Sequence, residues 1–163
     1  MNKLLAVSAL ALSLIATSAS AQAVRTEKNI SLELANQIAA ATVASCSAAG
    51  YNVAAAVVDR AGSLRALQRA DNAGPHTLSS SQAKAYTSAS AKNTTTAMME
   101  GAQKNPAAAN LVYLPGFLLV GGGVPVRVGN EVIGAVGVGG APGGHLDEQC
   151  ATAALDKVKD LLK

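Results

Sequence analysis

A glycine-rich run from Gly134 to Gly144 connects an apolar stretch, Val132–Val138, to a helical start at His145-Leu146-Asp147-Glu148. Glycines between a strand and a helix invite a phosphate-loop reading, because bare backbone N–H groups at a helix start bind anions. The spacing rejects it. Gly137 and Gly139 are followed by Pro142 where the third glycine of a dinucleotide fingerprint belongs, and no Gly-Lys-Ser/Thr follows. Asp147 and Glu148 already complement the positive end of the helix dipole and would repel a phosphate. The run is therefore expected to be a close-packed connection, where small residues let backbones approach one another or a neighbouring subunit.

Upstream, residues 1–23 have the form of a secretory leader. Lys3 supplies the charge, Leu4–Ala16 the short apolar core and Ala19-Ser20-Ala21 a small-residue cleavage site, with a cut after Ala23 as an alternative. This core is short for a membrane span, and no second apolar segment of spanning length follows. The expectation is an exported chain, periplasmic or secreted, with residues 24–163 forming one domain of ordinary size. Removing Lys3 leaves 12 basic residues against 10 acidic ones, a net charge of +2. With only three Tyr, one Phe and no Trp, the chain lacks the basic stripe interleaved with aromatics that nucleic-acid binding favours. Its abundance of small residues implies a modest core, of a kind that often gains burial by oligomerising. Cys46 and Cys150 both survive leader removal. In an oxidising compartment they are read either as a disulfide or as two buried free thiols on the apolar faces of helices.

Along the chain, Ser31 caps a helix that Gly50 stops. Val53–Val58 and Ser63–Arg69 flank the turn Asp59-Arg60-Ala61-Gly62 as a hairpin. Ser79, Ser80 and Ser81 offer caps for a helix over Gln82–Ala91, and Thr94–Thr96 for one ending at Asn105-Pro106. Phe117–Val120, Val124–Val128 and Glu131–Val138 are predicted strands, the last two joined by Gly129-Asn130. A final helix covers about Leu146–Leu162. The resulting order, α-β-β-α-α-β-β-β-α, is hairpin-rich and contains no repeating βαβ unit. It predicts an α/β domain of the α+β type, with a central antiparallel five-stranded sheet flanked by helices.

Chemistry-bearing residues are few. His76 and His145 are the only histidines, and with the two cysteines they show none of the paired spacings of a zinc site. Ser79, His76 and Asp59 can be assembled on paper as a hydrolytic set, but no nucleophile elbow supports it. Either histidine suits the axial position of a haem iron, where one protein ligand suffices; the plain alternative is an exposed loop histidine. His76 is favoured because Arg69, Lys84 and Tyr86 are near it in sequence and offer partners for propionates or a ring face. Met98 and Met99 read as core filler.

Four motifs occur together and in order: Ala55-Ala56-Val57-Val58-Asp59-Arg60-Ala61-Gly62; Arg69-Ala70-Asp71-Asn72-Ala73-Gly74-Pro75-His76-Thr77 leading to Lys84-Ala85-Tyr86-Thr87; Pro115-Gly116 with Gly121-Gly122-Gly123-Val124-Pro125-Val126; and Ile133 to Gly144 with Asp147-Glu148. Taken together they resemble the GlcG/HbpS-like (DUF336) haem-binding family, related to the PduO C-terminal domain, over about residues 31–162. The resemblance implies a compact profilin-like or GlcG-like domain, frequently a homo-oligomer. It also implies haem as cofactor in some members and, in exported ones, haem sensing, storage or protection, sometimes beside a membrane sensor kinase. The reading is of a non-enzymatic exported haem binder, with His76 as iron ligand and His145 as a second candidate where relatives carry other polar residues. The alternatives are a haem-degrading or peroxidase-like enzyme, and an oligomeric interaction domain that partners a membrane sensor.

Overall fold

The computed structural model describes residues 23–163; the leader expected over 1–23 lies, but for Ala23, outside the described residues. Helix α1 (Leu32–Ala48) is capped by the Ser31 hydroxyl, which accepts from the Leu34 N–H. Strands β1 (Ala54–Asp59) and β2 (Leu64–Arg69) form the expected hairpin. Helices α2 (His76–Ala91), α3 (Thr95–Lys104) and the single turn α4 (Pro106–Ala109) follow. A second hairpin, β3 (Gly123–Val128) and β4 (Glu131–Gly139), leads to α5 (Gly144–Lys157).

The sheet is antiparallel throughout, with spatial order β2-β1-β4-β3. β1 and β4 are central, and their residues are almost continuously buried. Pro125, which lacks a backbone donor, sits on the edge strand β3. Alternation divides the core in two. Val57 and Val136 pack with Ile38, Cys46, Cys150 and Ala151 under α1 and α5, while Ala56, Val58 and Ala135 pack with Ala85 and Ala89 of α2 on the opposite face.

The sheet has four strands, not five. Phe117–Val120 belongs to no strand: the Phe117 N–H closes a turn to the Leu114 carbonyl at 3.0 Å, and the Leu118 N–H donates to Thr87 Oγ1 at 2.8 Å. Its donors are committed to a turn and to α2, and a short apolar run cannot reveal that. Helix α2 begins six residues before the predicted Gln82. Ser79, Ser80 and Ser81 are not caps; their hydroxyls donate back to the carbonyls of His76, Thr77 and Leu78. Burial of Thr77, Ser81, Lys84, Ala85 and Ser88 against the sheet extends the helix through them. Pro106 ends α3 as expected but also opens α4, occupying the first turn, where its missing N–H costs nothing.

The glycine run is close-packed, and against α2 above all. A Cβ on Gly137 would lie 2.1 Å from the Ser81 carbonyl oxygen and 2.4 Å from the Ala85 nitrogen, and one on Gly123 would lie 2.4 Å from the Lys84 carbonyl oxygen. The backbone of α2 therefore rests directly on β3 and β4. We expect Gly137→Ala to destabilise the fold by about 3 kcal/mol, since neither helix nor strand backbone can yield locally. Gly101→Ala is the control: it lies inside α3 with nothing within 4 Å of the place its added methyl would take, and should gain about 0.5–1 kcal/mol. Urea denaturation of both variants checks the pair; equal small effects would refute the tight contact.

Candidate functional site

The amino-terminal half of α2 and the Gly139–Gly144 loop enclose a cleft of about 360 Å³. His76, Ser80 and Lys84 line it from α2, one turn apart, with Leu118, Val120 and Pro142 adding apolar surface and Asp147 entering from α5. At its floor the Lys84 ammonium donates to Asp147 Oδ2 at 2.7 Å and to the Val138 carbonyl at 2.8 Å. The other Asp147 oxygen accepts the Ala141 N–H at 3.0 Å, so the Lys84–Asp147 pair joins α2, β4, the glycine loop and α5. The two side chains are 5% and 3% exposed. Gly122, with φ +120°, closes over them: a Cβ there would sit 2.7 Å from Asp147 Cβ and 3.0 Å from Lys84 Nζ.

Desolvation pushes the Asp147 carboxyl above its ordinary value, with the Lys84 and Ala141 hydrogen bonds opposing that rise. The folded state therefore holds this proton more tightly than the unfolded chain does. The stability so gained is complete below pH 3.8 and is lost as pH rises through the higher folded value. We expect the stability of wild type relative to Asp147→Asn to fall as pH rises from 3.8, then to level off. Urea titrations of both proteins from acid to neutral pH check this, and a pH-independent difference would contradict it.

The structure brings His76 and Lys84 into one cleft and places the other sequence candidates elsewhere. His76 is exposed at the rim with its ring over Gly74; its carbonyl accepts from Ser79, and no hydrogen bond among the described residues engages its ring nitrogens. Arg69 donates twice to the Ala73 carbonyl, at 2.9 and 2.6 Å, bracing the loop that leads to His76. Tyr86 points away on another face of α2. Its ring lies between Gly62 and Gly116 and meets Phe117 edge-on, lining a separate groove with Val58 and Leu64. His145 lines a third groove, on the outer side of α5, with Thr96, Glu148 and Asp156. Among the described residues no group of three or more His, Cys, Asp and Glu side chains is placed to hold a metal ion.

The residue that sequence reasoning missed is Asp147, which from sequence is only a dipole-complementing acid. Its partner Lys84, expected to meet propionates, has its ammonium already engaged. The available signal was Lys84 alone among small residues, on the helix face shared by Ser81 and Ser88. Glu148 accepts a hydrogen bond from the Thr96 hydroxyl.

The family described as haem degrading protein HbpS-like matches residues 30–156. Protein GlcG of Escherichia coli K12 is 36% identical over 114 residues, covering 70% of this chain and 84% of GlcG. The solved structure of a Streptomyces reticuli HbpS double mutant is 33% identical with a TM-score of 0.78, covering 94% of this chain and 98% of that one. A PduOC:heme complex shares the fold at 20% identity, with a TM-score of 0.70 over 78% of this chain and 94% of that one. Together with the glycine-lined contact between α2 and the second hairpin, these matches show that the chain belongs to the HbpS-like family, with protein GlcG among its homologues.

Proposed function

We propose that this is an exported haem-binding protein that senses, stores or guards against haem, with His76 as the iron ligand at the mouth of the α2 cleft. The observation that carries the proposal is the His76 imidazole, unengaged by the described residues and flanked by apolar Leu118, Val120 and Pro142, in a chain of the HbpS-like family. A neutral imidazole nitrogen suits haem iron, and apolar surface suits the porphyrin face. At about 360 Å³ the cleft is at the small end of ligand pockets, so the ring would lie across its mouth. Lys84 is held by Asp147 and Arg69 by Ala73, so the propionates would extend to solvent. The leader-like residues 1–23 and the Cys46–Cys150 disulfide support export, because such bonds persist in oxidising compartments. Exposed Val112, Tyr113 and Leu114 support assembly with a second copy or a sensor domain. No helix among the described residues is long and apolar enough to cross a membrane.

Haemin titration into the mature chain tests this. A saturable Soret change is expected in the wild type and in His145→Ala, with affinity at least about tenfold weaker in His76→Ala, or about 1.4 kcal/mol. Absence of saturable binding by the wild type would end the proposal; equal binding by all three would move the ligand elsewhere. A second reading, haem degradation, is favoured by the family's description. It is separated by incubating the loaded protein with ascorbate: progressive loss of Soret absorbance supports degradation, and stable absorbance supports binding alone.

A further inference from the structure

Cys46, in the last turn of α1, and Cys150, in α5, are disulfide-bonded, with Cα atoms 5.2 Å apart. The two cysteines are not equivalent. Cys46 is fully buried, whereas Cys150 is 6% exposed and lines a surface groove of about 240 Å³ with Ser45, Ala49, Tyr51, Leu146, Gln149 and Ala153. One wall of that groove is the carboxyl end of α1. There the Ala49 and Tyr51 N–H groups both donate to the Cys46 carbonyl, and Gly50 turns the chain with φ +83°. A helix end of this kind opens more readily than its middle. Of the two residues, Cys150 is therefore the one that a nucleophile entering the groove meets, whereas Cys46 is fully buried.

The bond also has a route to the α2 cleft. Asp147 lies three residues before Cys150, one helical turn away, and carries the contacts to Lys84 and to the glycine loop. Leu146, the residue before Asp147, lines the groove itself. Lys157, two turns beyond Cys150, donates to Ser45 Oγ at 3.0 Å, a second tie between α5 and the end of α1. The disulfide thus holds the start of α5 in the position that the cleft floor requires.

We propose that the Cys46–Cys150 disulfide is a reducible clasp, opened by a small dithiol entering the groove, and that its opening loosens the Gly139–Asp147 wall of the α2 cleft. A thiolate of the reductant attacks the Cys150 sulfur, forming a mixed disulfide while Cys46 leaves as a thiolate and takes a proton. The second thiol of the reductant then closes its own ring disulfide and releases Cys150. Two electrons pass from the dithiol, which is oxidised, to the protein disulfide, which is reduced. The proposal needs no haem, so its failure and the failure of the haem reading are separate results.

The test uses the folded mature chain. Millimolar glutathione, acid quenching and peptide mapping are expected to find the mixed disulfide on Cys150. Dithiothreitol is expected to reduce the bond without denaturant and to speed amide exchange by at least about tenfold in peptides spanning residues 139–147, while β1 and the centre of β4, less protected than in the bonded protein, remain the slowest to exchange. The double variant Cys46→Ser/Cys150→Ser is expected to show the same exchange pattern as the reduced wild type. An adduct on Cys46, a bond that resists dithiothreitol until the protein is denatured, or unchanged exchange over 139–147 after reduction would each overturn the proposal. So would uniform loss of protection throughout the chain.

Discussion

Replacing Lys84 with Met is expected to lower the unfolding free energy by about 3–5 kcal/mol, because it strands the Asp147 carboxylate in a site where that side chain is 3% exposed. Met retains most of the aliphatic stem, so the loss reads the charge and not the packing. Asp147→Leu should cost a similar amount by stranding the ammonium, and additionally frees the Ala141 N–H. The double variant Lys84→Met/Asp147→Leu is the decisive comparison: two apolar groups of similar size carry no unpaired charge, and most of the loss should return. Urea denaturation of the four proteins forms a double-mutant cycle. Additive losses would show that the two side chains do not act as a pair. Full recovery of stability would also say that the pair is not retained for stability, which directs attention to the cleft whose floor it forms.

Removing the disulfide as Cys46→Ala/Cys150→Ala is expected to cost about 4–5 kcal/mol in the chain-entropy account, since the cysteines are 104 residues apart and the bond closes most of the described chain into one loop. The effect acts mainly on the unfolded ensemble. The native circular dichroism spectrum should therefore change little while the urea midpoint falls, and the denaturant slope should rise as the unfolded chain exposes more surface. A native spectrum that collapses along with stability would instead indicate that the bond enforces the packing of α1 on α5. Typical domains have a total stability of about 5–15 kcal/mol, so a loss of this size takes about a third or more of the total.

Much of the fold is legible in the sequence because local chemistry and burial point the same way. Ser31 caps α1, Asp59-Arg60-Ala61-Gly62 turns the first hairpin and Gly129-Asn130 the second, each where the structure has it. Phe117–Val120 misleads because four apolar residues look alike whether they pair with a strand or lie against a helix. The start of α2 misleads because serine's preference for caps is worth about 1 kcal/mol, less than burying that helix face against the sheet. Within the candidate site, His76 and Lys84 share a helix and group together from sequence. Asp147, 63 residues from Lys84, does not, since nothing local records which charge a buried lysine will meet.

The glycine run shows where that boundary lies. From sequence alone, its spacing and the acids after it exclude phosphate binding and require close packing, because those are properties of residue type and order. Together with the three motifs upstream it also carries the family, which the matches to HbpS-like proteins show. Only the tertiary structure decided which backbone the glycines admit: α2 lying on Gly123 and Gly137, and the Lys84–Asp147 pair closed over by Gly122. The reason is physical. A missing Cβ is written in the sequence, whereas the group that occupies its space comes from a distant segment brought there by burial.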